Sequence, residues 1–104
     1  MSRKNELETI ASLLGNAAAH AALLPEDDYA RKEVSLYSTD AADIFLAKQW
    51  NEKELSYLKT KALARARTEI RLRSEKYGFG KENLEKFIKN AEEFIDAFVA
   101  QAKG

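Results

Sequence analysis

The sequence predicts an all-α fold, a single-domain four-helix bundle running up-down-up-down with antiparallel neighbours. Apolar residues recur at three- and four-residue intervals along nearly the whole chain, as on one face of a helix. Breakers are sparse: one proline and four glycines in 104 residues divide the chain into four amphipathic stretches. No stretch shows the strict alternation of a half-buried strand. Four helices of about 20 to 25 residues with short connections fold back on one another. A chain of this length buries one core without a disulfide or metal staple, so residues 1–104 are read as one domain.

The first helix is expected over about residues 3–23, with Leu7, Ile10, Leu14, Ala17 and Ala21 on one face and Pro25 stopping it. Its many alanines invite close packing. Arg3 and Lys4 before the run IASLLGNAAAHAALL imitate a secretory leader, but Glu6 and Glu8 stand in the basic region and Asn16 and His20 interrupt the apolar one. Neither a leader nor a membrane span is expected, since a span needs about 20 predominantly apolar residues.

The second helix is expected over about residues 26–50. Glu26, Asp27 and Asp28 suit a helix N-terminus, where negative charge meets the positive end of the helix dipole. Ala30, Val34, Tyr37, Ala41, Ile44 and Phe45 form its core stripe, while Tyr29, Leu36, Ala47 and Trp50 fall together about 100 to 160° away. A helix apolar on two sides is either wrapped by its own protein or offers one side to a partner, and Tyr and Trp are common interface anchors. The third helix, about 52–77, starts at Asn51 with Glu54 in capping-box spacing and carries Leu55, Leu58, Ala62, Ala66 and Ile70 inward. Gly78 and Gly80 read as caps. In the fourth, about 81–102, Leu84, Ile88, Ala91, Ile95, Phe98 and Ala102 make the clearest stripe, widened by Phe87, Phe94 and Val99.

Charge is balanced overall, 17 basic against 17 acidic residues, but unevenly laid out. Residues 26–54 hold eight acids and four bases, and residues 55–80 hold seven bases and two acids. A hairpin of helices two and three would set Asp43 near Lys59, Asp40 near Lys61, and Glu33 near Glu69 and its arginine neighbours. Arg65, Glu69 and Arg73 are spaced for a ladder within helix three, as Arg71 and Glu75 are for a pair. Lys61, Arg65, Arg67 and Arg71 are the candidates for binding nucleic acid or another polyanion. They are distributed around the helix rather than gathered on one solvent face, which weakens that reading.

Cysteine is absent and His20 is the only histidine, which excludes disulfides, thiolate chemistry, multi-histidine cages and paired Glu-x-x-His di-iron motifs. Glu33, Asp40 and Asp43 are read as solvated acids or as partners of helix three, with a hard-cation site as the lesser alternative. We therefore expect no enzyme, no cofactor and no metal. The expected function is a cytoplasmic helical interaction or adaptor module whose partner is a protein or a second copy of itself, docked through Tyr29, Leu36, Ala47 and Trp50. The rival expectation is a polyanion-binding protein that uses the basic third helix.

Overall fold

In the computed structural model, which describes residues 2–23, 27–78 and 80–101, four helices follow one another: α1 (Arg3–Leu23), α2 (Asp28–Phe45), α3 (Glu52–Tyr77) and α4 (Lys81–Ala100). Their boundaries follow from local chemistry. The Asp27 carboxylate accepts the Tyr29 N–H at 2.9 Å and caps α2, while Glu26, expected at its start, lies outside the described residues. Asn51 Oδ1 accepts the Glu54 N–H at 2.8 Å and Glu54 Oε1 accepts the Asn51 N–H at 3.0 Å, completing the capping box that opens α3. Gly78 closes α3 with φ 72°, a left-handed conformation costly for residues with a Cβ, and Gly80 is the extended N-cap of α4. The α-helical part of α4 ends at Ala100, and Ala102 lies outside the described residues.

α2 ends at Phe45, short of the expected Trp50. Beyond it the chain turns back so that the Trp50 ring stacks on Phe45, with centroids 6.5 Å apart and planes 5° apart. The indole N–H donates to the Phe45 carbonyl at 2.7 Å, satisfying an acceptor that the helix end leaves open. Stacking and hydrogen bond together outweigh continuation of the helix.

Cross-helix pairs fix the directions. Arg3 meets Glu54, Glu8 meets Tyr57 and Asn16 meets Arg65 at a nearly constant offset, so α3 runs parallel to α1. His20 meets Glu33 and Glu6 meets Lys48, so α2 is antiparallel to α1. Lys59 meets Asp96 across the turn at Gly78, so α4 is antiparallel to α3. Directions alternate as expected, but the helices are not neighbours in the expected way. α1 packs on all three others and α3 packs on α4, whereas among the described residues no Cα of α2 lies within 8 Å of one in α3 or α4. The α2–α3 hairpin inferred from charge does not form. Lys59 pairs with Asp96 rather than Asp43, and Glu33 pairs with His20 rather than lying beside the arginines of α3.

The composition of α1 explains this arrangement. Leu7, Ile10, Ala11, Leu14, Gly15, Ala17, Ala18, Ala19, Ala22 and Leu23 are buried, far more of the circumference than one stripe. A helix that is apolar and small on most sides gains most by sitting between others. Gly15 permits a close approach to α3: a Cβ there would lie 2.6 Å from the Arg65 Cβ and 2.8 Å from the Ala62 carbonyl oxygen. Leu55, Leu58 and Ile70 of α3 and Ile95, Phe98 and Val99 of α4 complete the core. Ala41 and Phe45 carry α2 into it, the larger Phe45 being 1% exposed and 5.0 Å from the Phe98 ring.

Candidate functional site

The four residues expected to form one partner surface separate into two groups. Tyr29 and Leu36 stand on the outer side of α2, 72% and 62% exposed. Ala47 is exposed in the turn after the helix, and Trp50 is half-buried against Phe45 within the protein's own core. Trp50 therefore answers to the self-burial alternative, and the second apolar side of α2 reduces to Tyr29 and Leu36. At 100° per residue these two share a sector of about 80° with Lys32, Asp40 and Asp43, all exposed. The side chains of Asp40 and Asp43, expected opposite α3, make no hydrogen bond or ion pair among the described residues.

Around Trp50 the chain forms a clasp that sequence reasoning missed. Arg3 donates through Nε and Nη2 to both carboxylate oxygens of Glu54, at 2.8 and 3.0 Å, and through Nη2 to the Gln49 carbonyl at 2.7 Å. Its guanidinium lies 4.7 Å from the Trp50 ring centroid. Lys48 pairs with Glu6 beside it. The hydrogen bonds from Arg3, then that from the Asn51 N–H, hold the Glu54 carboxyl at about 2, well below its ordinary 4.5, and the same contact raises Arg3 further. Tyr57, one turn along α3, is raised by burial and by its hydrogen bond to Glu8.

The four candidate cations of α3 are exposed and divide between two edges. Arg65 faces α1, with Nε 3.4 Å from Asn16 Oδ1, and joins the expected ladder: Glu69 lies 3.4 Å from Arg65 and 3.5 Å from Arg73. Lys61 sits over the Tyr57 ring at 5.6 Å. Arg67 and Arg71 lie on the other edge, roughly 80 to 160° around the helix, and make no ion pair among the described residues, so the expected Arg71–Glu75 pair is not formed. No single face gathers all four.

His20 is more than the packed histidine its alanine neighbours suggest. Its side chain is 5% exposed, with Nδ1 2.7 Å from the Asn16 carbonyl oxygen and Nε2 2.8 Å from Glu33 Oε2. Tyr37 stands against the ring, with centroids 6.1 Å apart. A pairing across two helices leaves no local trace; its only sequence signal is an ionisable residue inside an alanine run. Among the described residues no group of three or more His, Cys, Asp or Glu could hold a metal ion, and no helix is long and apolar enough to cross a membrane.

Against known protein families, curated proteins and solved structures, the chain gives no match.

Proposed function

We propose that the protein is a non-enzymatic interaction module that self-associates through the outer side of α2. One observation carries the reading: two large apolar side chains, Tyr29 and Leu36, stand two turns apart and mostly exposed on the one helix whose backbone lies close to that of a single neighbour. Charge complementarity supports a second copy as the occupant. In an antiparallel pairing centred on Leu36, Lys32 of one copy comes opposite Asp40 of the other and Tyr29 comes opposite Asp43, so the sector is complementary to itself, as an isologous interface requires. The pairing is weak. An 18-residue helix offers a strip about 27 Å long and roughly 10 Å wide, well below the area of a standard stable interface.

Sedimentation from about 10 μM to 1 mM tests the reading. The expected result is a reversible rise in mass with concentration that Leu36→Glu abolishes, since the variant places two carboxylates together at the centre of the seam. A monomer throughout the range overturns it. A monomer that also binds a random-sequence oligonucleotide with steep salt dependence moves the assignment to Arg67 and Arg71, which make no ion pair among the described residues.

A further inference from the structure

We propose that one proton shared by His20 and Glu33 latches the first half of α2 onto α1, so that residues 28–38 loosen as pH rises while α1, α3 and α4 stay packed. Both ring nitrogens of His20 face acceptors. The Asn16 carbonyl oxygen can only accept, and so can an ionised Glu33 carboxylate. An imidazolium satisfies both with its two N–H groups. A neutral ring has one N–H, so beside an ionised Glu33 either Nδ1 confronts the carbonyl or Nε2 confronts the carboxylate with a lone pair. A neutral ring beside a protonated Glu33 restores both contacts and holds the same number of protons. The latched state thus holds one proton more than a neutral histidine beside a free carboxylate.

Burial makes the mismatch costly, because a ring 5% exposed has little water to replace the lost partner, whereas Glu33, 30% exposed, can swing outward. The other charged groups around the ring do not substitute for the proton. On α1 the ring meets Asn16 through its backbone. On α2 it meets Glu33 and Tyr37. The α3 residues at this level, Arg65, Glu69 and Arg73, are tied to one another, and Arg65 also to the Asn16 side chain. On α4, Glu93 lines a depression with Ala21 and Ala22.

Beyond this pair, the first half of α2 rests on α1 through one fully buried residue and the half-buried Val34, Tyr37 and Ser38. Ala30 is its only buried side chain, and the deep anchor, Phe45, lies at the far end and acts as the hinge. The sign follows from proton count: the state that binds the extra proton is favoured at low pH, and its advantage is lost as pH rises. The latch does not depend on the outer side of α2 binding anything.

Amide hydrogen exchange on the full chain, corrected for intrinsic rates and followed from about pH 5.5 to 8, tests this. The expected result is that protection of the amides in 31–38 falls with pH, by at most about tenfold per unit for one proton, while amides in α3 and α4 keep theirs. In Glu33→Gln the carboxamide N–H donates to Nε2 and a neutral ring donates from Nδ1, so the profile becomes flat. Constant protection of residues 31–38 in the unmodified chain, or the same slope in Glu33→Gln, overturns the proposal.

Discussion

At the scale of single residues, the positions that matter most are set by close approach rather than by side-chain chemistry. Gly15 sits where α1 lies close against α3, and its missing Cβ would meet a backbone oxygen at 2.8 Å, which no side-chain rotation can relieve. Alanine in a helix interior ordinarily gains about 1 kcal/mol over glycine. Here we expect Gly15→Ala to destabilise by about 1 to 3 kcal/mol, the usual cost of overpacking, read as a lower urea midpoint at unchanged slope. That sign reversal is the informative result, because it reports the α1–α3 contact and not helix propensity. The residues legible in the sequence are those whose partners lie within one turn: Asn51 with Glu54, Asp27 with the Tyr29 N–H, and Gly78 at its left-handed cap. Gly15, His20 and Arg3 were not legible in their roles, since each depends on a helix distant in sequence that spacing alone does not bring alongside.

At the scale of the element, α2 is the helix whose place was misjudged from charge. Its acids and the bases of α3 look complementary, yet exposed pairs are worth about 1 kcal/mol or less and cannot choose a neighbour against apolar burial. The burial belongs to α1, whose alanines accept α2 on one side and α3 and α4 on others. The core stripe read for α2 was right about Ala30, Ala41 and Phe45, which are buried, but Val34, Tyr37 and Ile44 are only half covered because a single helix lies against them. Phe45 is therefore the side chain that joins α2 to the cooperative unit. Phe45→Ala removes its contact with Phe98 and the support under Trp50, and we expect a loss of about 3 to 5 kcal/mol in chemical denaturation. A loss below about 1 kcal/mol would mean that α2 does not fold cooperatively with the other three helices.

At the scale of the whole molecule, the 40 Å long axis matches α3, whose 26 residues rise about 39 Å, and the 25 Å cross-section leaves room for helices on either side of α1. The parallel run of α1 and α3 requires the chain to return along α2 and then cross beneath the start of α1. That crossing is held by the Arg3 clasp, which binds Gln49, Trp50 and Glu54 together, so one guanidinium and one carboxylate link three helices beside the Lys48–Glu6 pair and the Trp50–Phe45 stack. Acid should open it. The Glu54 carboxyl is held near 2 in the folded chain against an ordinary 4.5, so the folded state binds this proton more weakly than the unfolded state does. Its stabilisation is complete above about pH 4.5 and is lost as pH falls through about 2. Glu54→Gln isolates the charge, because glutamine at this position can still return the capping-box hydrogen bond to Asn51. We expect the variant to melt lower than the unmodified chain at neutral pH, with the two melting temperatures converging between about pH 4.5 and 2. A gap that stays constant across that window would show that the clasp acts through its hydrogen-bond geometry alone, and the junction would then owe its hold to Trp50 packed on Phe45 rather than to the ion pair.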